Sequence, residues 1–317
     1  MLLAAACGGS SAPASTRVGG ALVAALEAAD DARVPWRCAA PDGPDLTEEV
    51  VGAWKLTGHG MRRAAGGTIT IGVIADAGGA APATIAALGR LRPKLEDVDL
   101  LLVLGGMGTT RGELEATLGT IANDASWPTV VLPGDLESVG ALGEAIATLR
   151  AKGLLVVDGR LAQRIELPNV LIATVAGASD ASRLVAGADG CEYHAEHVAA
   201  ALADLTAFAG IRILAAAEAP RTASTLEALR AGLGATDAGE RALVPGATQE
   251  IDVSLHGPVD VEASPARTGG RDGAAVPLTP GTSDASIRLP GPRRATTAAL
   301  LTITGTAWKW RPIADRD

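Results

Sequence analysis

The side chains able to do chemistry in this chain are few, and they are grouped. Asp76, Asp135, Glu137 and Asp260 stand in short turns that directly follow apolar runs. Converging carboxylates of this kind suit one hard divalent cation such as Mg2+ or Ca2+, which prefers oxygen ligands. The turns read Ala75-Asp76-Ala77-Gly78-Gly79, Leu104-Gly105-Gly106-Met107-Gly108, Leu132-Pro133-Gly134-Asp135-Leu136-Glu137, Ala215-Ala216-Ala217-Glu218-Ala219-Pro220 and Ser254-Leu255-His256-Gly257-Pro258-Val259-Asp260. Imidazole is scarce: the four histidines are His59, His194, His197 and His256. His194 and His197 lie three apart beside Cys191, a spacing open to zinc, but no second half of such a site accompanies them. A polar helix entry is the simpler reading of that segment. Trp308 and Trp310 alternate in a terminal apolar run, which puts both rings on one strand face and assigns them to packing.

The elements that must position these turns are written in the hydrophobic pattern. Apolar, β-branched runs at 68–75, 100–104 and 129–132 alternate with helical patterns at 82–91, 113–123 and 139–151. Continuous apolar strands between amphipathic helices imply a sheet covered on both faces. Shorter strands are expected at 154–157, 163–167, 170–175 and 211–216, with helices at 195–208 and 225–231. Further strands follow at 251–255, 286–289, 298–304 and 308–312, around a Gly/Pro-rich loop at 261–285. Upstream, 18–30 and 45–54 read as helices, the second with a cap-like Leu46-Thr47-Glu48-Glu49 start. This order predicts an α/β fold of two packed mixed β-sheets flanked by helices. Residues 1–17 form a leader and linker, 18–66 a helical extension and 67–317 the main domain.

Taken in order, the five turns resemble the calcineurin-like metallophosphoesterase family over roughly residues 68–313. That family has Asp-x-His-Gly after its first strand, Gly-Asp after the second and Gly-Asn-His after the third. A His before Pro and a Gly-His-x-His follow later. The matching frame is Asp76, Gly79, Gly105, Pro133, Gly134, Glu137, Pro220, Leu255, His256 and Gly257. The resemblance implies a four-layer sandwich, the fold of metal-dependent phosphoric ester hydrolases with a dinuclear metal centre. At the ligand positions it implies, however, the chain carries Gly78, Gly106, Asp135, Leu136, Ala217, Pro258 and Asp260, and Asp76 alone stands unchanged. Gly, Leu, Ala and Pro side chains offer a metal no lone pair, and a metal pair needs several carboxylate and imidazole ligands. His256 sits before the motif glycine, so it reads as a strand-end histidine.

The expectation that follows is a hydrolase fold without its reaction, a pseudoenzyme with no cofactor, or with one divalent cation on Asp76, Asp135, Glu137 and Asp260. The alternative is a phosphoesterase using that atypical carboxylate site. A Rossmann-type nucleotide binder is a third reading, since Gly106-x-Gly108-x-x-x-Gly112 follows a strand, one residue off the dinucleotide spacing. The small residues at the ligand positions would leave a crevice for a small anion or a partner protein's loop, or let it close. Nucleic acid is disfavoured as a partner by the net charge of -9.

The opening Met1-Leu2-Leu3-Ala4-Ala5-Ala6-Cys7, followed by a Gly/Ser/Pro stretch, looks like the end of a bacterial lipoprotein signal peptide, with Cys7 the lipidated residue. That places the protein in the cell envelope, at the outer membrane or in the periplasm, with membrane association through the lipid alone. Cys38 and Cys191 would then remain as an even pair in an oxidising compartment, either bridged or as two thiols.

Overall fold

Alternation along the strands decides which layer each residue joins. In β4 (Ile69–Ala75) and β5 (Leu100–Leu104), Ile69, Ile71, Val73, Leu100, Leu102 and Leu104 face one apolar core, while Ile74, Leu101 and Val103 face another. Strands buried on both faces along most of their length require a cover on each side. The computed structural model describes residues 48–58, 60–64, 66–75, 77–178, 184–193, 201, 203–217, 251–256, 276–277, 285–288 and 297–314. All belong to one unit, Trp36–Asp317; the other unit, Met1–Pro35, lies outside them.

The first sheet has six strands in the order β15-β14-β4-β5-β6-β7, adding β6 (Thr129–Leu132), β7 (Val156–Asp158), β14 (Thr297–Thr304) and β15 (Ala307–Ala314). β4 to β7 are parallel and β14 and β15 antiparallel. Its outer face is covered by α1 (Pro82–Leu91), α2 (Arg111–Ala122) and α3 (Val139–Ala151) through Leu88, Leu91, Leu114, Leu118, Leu142 and Leu149. The second sheet has nine strands, β1 (Glu49–Val51), β2 (Trp54–Thr57), β3 (Gly60–Arg63), β8 (Arg164–Leu167), β9 (Val170–Val175), β10 (Ile211–Ala216), β11 (Val253–His256), β12 (Val276–Pro277) and β13 (Ala285–Arg288). Their spatial order is β1-β2-β3-β8-β9-β10-β11-β13-β12, again with mixed directions.

The central core lies between the sheets. Ile71, Leu102 and Leu132 from one meet Leu56, Ile165, Ile172, Ile213 and Val253 from the other. The outer face of the larger sheet, with Leu171, Ala173, Val175 and Leu214, packs on Ala201, Leu205 and Phe208. Residues 201 and 203–206 are helical, so helix, sheet, sheet and helix make four layers, as the sequence predicts.

Most expected elements coincide with observed ones, and α1, β5, β6, α3, β9 and β10 have the same bounds. The helix expected at 45–54 is a correction. Residues 49–51, 54–57 and 60–63 form β1, β2 and β3, and β3 pairs with β8, so this part of the expected helical extension belongs to the second sheet. The physical reason is visible in the residues: Trp54 and Leu56 are buried while Thr57 is exposed, the two-residue period of a strand, and Gly52 at φ 59° turns β1 into β2. The expected helix at 18–30, that at 225–231 and most of the loop at 261–285 lie outside the described residues, although that loop includes β12.

Candidate functional site

Every turn singled out in the sequence leaves the carboxyl end of a strand, and parallel neighbours bring those ends together. Backbone hydrogen bonds lace the first three in series. Ala77 donates to the Gly105 carbonyl at 3.2 Å and Gly79 to that of Gly106 at 2.8 Å, which ties the first turn to the second. Gly105 donates to Leu132 at 2.8 Å, tying the second to the third, and Gly177, just past β9, donates to Pro133 at 2.7 Å. Gly105 and Gly106 have φ of 69° and 70°, the left-handed region that glycine enters without steric cost. The fourth turn arrives as well: a Cβ placed on Gly134 would lie 3.5 Å from both the Ala217 methyl and the Gly105 Cα. Gly105, Gly134 and Ala217 are thus neighbours across three turns, spaced so that a methyl group on Gly134 would make ordinary contacts with the other two. The fifth is placed by register, since His256 ends β11 opposite Ala216 on one side and Arg288 on the other.

The chemical centre of this edge is Glu137. Its side chain is fully buried, with Oε1 accepting the Met107 N–H and Oε2 the Gly134 N–H, each at 2.7 Å. Loss of hydration pushes its carboxyl up to about 7, against the pull of these N–H groups, and neighbouring Asp135 adds to the rise. The Met107 carbonyl in turn accepts from Thr117 Oγ1 on α2 at 2.8 Å, so the second turn is held from both sides.

Two further carboxylates occupy the helix starts nearby. Glu113 accepts from Thr109 and Thr110 backbone N–H groups at 2.9 and 3.0 Å, while the Thr110 hydroxyl accepts from Glu113 N–H in a reciprocal capping box. These bonds hold the Glu113 carboxyl below its ordinary range. They also put an internal carboxylate where the nucleotide-binding reading of this Gly-rich loop needs a phosphate. At α3 the Ser138 hydroxyl donates to Asp189 and also caps the helix by accepting from Ala141, and Gly140 N–H points at the same carboxylate. Asp189 lies in 184–193, a segment that also joins the third turn through Val185 N–H to the Asp135 carbonyl. A buried ion pair, Arg160 with Asp158, closes the end of β7.

The structure therefore brings Gly78, Gly106, Asp135, Leu136, Glu137 and Ala217 to one edge. The side chains of Asp76, Pro258 and Asp260 lie outside the described residues, as do His59, His194, His197, Cys7 and Cys38, and only the backbone of His256 is described. Among the described residues of these turns, the fit to a dinuclear metal centre is poor. Gly78, Gly106, Leu136 and Ala217 bring no donor atom, and both oxygens of Glu137 already serve backbone N–H groups. Asp135 is half-buried at the rim. Cys191 is buried and disulfide-bonded, with its partner cysteine outside the described residues. Trp308 packs against the central core, as alternation predicts.

Sequence reasoning missed Asp189 and the Asp158–Arg160 pair. Ser138 just before an apolar helix was a readable cap, but nothing local announces that its partner stands 51 residues away. Glu137 was identified as a carboxylate of the site, and its burial was not legible because it depends on the second turn folding over it.

No family model matches the chain, and no curated protein matches it in sequence. Solved structures do match in fold. TT1561 of Thermus thermophilus is similar at 14% identity with a TM-score of 0.50, over 78% of this chain and 100% of that one. Purple acid phosphatase PPD1 from seeds of yellow lupin (Lupinus luteus) is similar at 12% identity with a TM-score of 0.51, over 80% of this chain and 52% of that one. The chain spans about half the lupin protein's length. At such identities the likeness is one of architecture, an α/β sandwich of two mixed sheets between helices.

Proposed function

We propose that this chain is a metallophosphoesterase-like domain without a dinuclear metal centre, acting by binding or as a structural component rather than by hydrolysis. The observation that carries the reading is the edge where the turns converge. Gly105, Gly134 and Ala217 meet there and bring no donor side chain, and the buried carboxylate Glu137 is committed to backbone N–H groups. Activation of an attacking water by a metal pair requires ligands that neutralise the ions and fix their geometry, and the side chains described at this edge do not supply that set. The test is hydrolysis of p-nitrophenyl phosphate by protein loaded with Mn2+. The expected rate equals that of the metal-containing buffer; turnover lost in Asp76→Ala would establish the alternative, a phosphoesterase with a carboxylate site.

The envelope setting belongs to the same proposal. It is supported by the lipoprotein-like sequence ending at Cys7, and the disulfide at Cys191 is in keeping with an oxidising compartment. Labelling of the full precursor with a radioactive fatty acid in a bacterial host is expected to appear and to vanish in Cys7→Ala. An unlabelled wild-type precursor would remove the anchor.

A further inference from the structure

The interior of the converging turns contains a carboxylate with a defined pair of donors, and that pair has a chemistry of its own. Met107 and Gly134 come from different strand turns, 27 positions apart in the chain, yet their N–H groups point at the two oxygens of one carboxyl group at equal distances of 2.7 Å. Met107, Gly134 and Glu137 are all buried. Two buried N–H groups aimed at one carboxylate form an oxyanion cradle, and a donor left without a partner there is costly because water does not replace it. The cradle is held independently of its occupant. Met107 is fixed through its carbonyl by Thr117, and the chain leading into Gly134 is held by the Gly105 and Gly177 N–H groups, which donate to the Leu132 and Pro133 carbonyls.

We propose that Glu137 is a built-in ligand: its carboxylate occupies, and keeps closed, a small-anion site made by the Met107 and Gly134 N–H groups, whose ligand class is small monocarboxylates. The side chain does the work of a bound anion from within, joining the second turn to the third with no metal between them. Shortening it to a methyl group leaves the two donors in place and makes room for a free carboxylate of formate size. The inference rests on the reading that this edge has no metal pair.

The experiment is a thermal-unfolding titration with sodium formate at pH 8, against sodium chloride at matched ionic strength, for wild type, Glu137→Ala and Glu137→Gln. Loss of two buried charge-assisted bonds should lower the Tm of Glu137→Ala by roughly 5–10 °C. Formate should then raise it saturably, with chloride inert and the wild type and Glu137→Gln showing no formate-specific change. A folded Glu137→Ala that answers formate and chloride alike overturns the proposal. Should Glu137→Ala fail to fold, amide hydrogen exchange decides in its place. Met107 and Gly134 amides should be protected in the wild type, and one of them should exchange faster in Glu137→Gln, whose amide nitrogen cannot accept. Equal exchange of both amides in the two proteins overturns it. Hydrolysis by wild type with Mn2+ would sink the non-catalytic reading, whereas a missing formate response would sink the built-in ligand alone.

Discussion

Glu137 carries its burial as a dependence on pH. Its carboxyl is raised from an ordinary 4.5 to about 7 by loss of hydration, so between those values the folded chain holds a proton that the unfolded chain has released. The part of the stability that depends on its protonation is therefore greatest below pH 4.5, falls as pH rises and is gone above about 7, where the bonds to Met107 and Gly134 remain. The whole effect is about 3 kcal/mol, from the size of the shift. Urea denaturation of wild type and Glu137→Gln across pH 5 to 8 checks this. The wild type should lose stability relative to the variant as pH rises, and parallel profiles would contradict it. The site's residues were legible in sequence to the extent that type suffices. Gly78, Gly106, Leu136 and Ala217 declare their lack of donor atoms wherever they are placed. What Glu137 does depends on the Met107 N–H arriving from another turn, which no local pattern encodes.

At the scale of elements, strands buried on both faces and the helices between them were legible, because each writes its period over many residues. The first hairpin was misread where two signals competed. Thr47-Glu48-Glu49 looks like a helix start, while Trp54-Lys55-Leu56-Thr57 alternates buried and outward positions, and pairing of β3 with β8 settles the contest for the strand. The segment 184–193 is a connection whose role emerges only in three dimensions. It reaches the third turn through Val185 and Asp189, and it returns to β9 where Ala178 N–H meets the Cys191 carbonyl at 2.9 Å. Gly177 permits that return: its φ is 95°, and a Cβ there would lie 2.3 Å from the Cys191 carbonyl oxygen. Gly177→Ala should therefore destabilise the protein by on the order of 2–3 kcal/mol, since it combines backbone strain with a clash against main chain. The midpoint of chemical unfolding reads this directly. An unchanged midpoint would show that the segment is not held as described.

At the scale of the described molecule, two sheets face to face with helices outside make an interior that is almost entirely apolar. Ile71, Leu102, Ile172 and Ile213 meet in a core that joins both sheets, and three helices seal the other side of the smaller sheet. In such an architecture the strand-end turns can change without disturbing the fold, because the residues that hold it lie between the layers. The likeness to TT1561 and to the lupin phosphatase is one of layers, at 14% and 12% identity. The central claim is that the fold persists without a metal pair, and equilibrium dialysis against Mn2+, with metal counted per chain, tests it most directly. The expected result is no bound pair and no difference between wild type and Asp76→Ala. Two tightly held ions per chain, lost in Asp76→Ala, would contradict it.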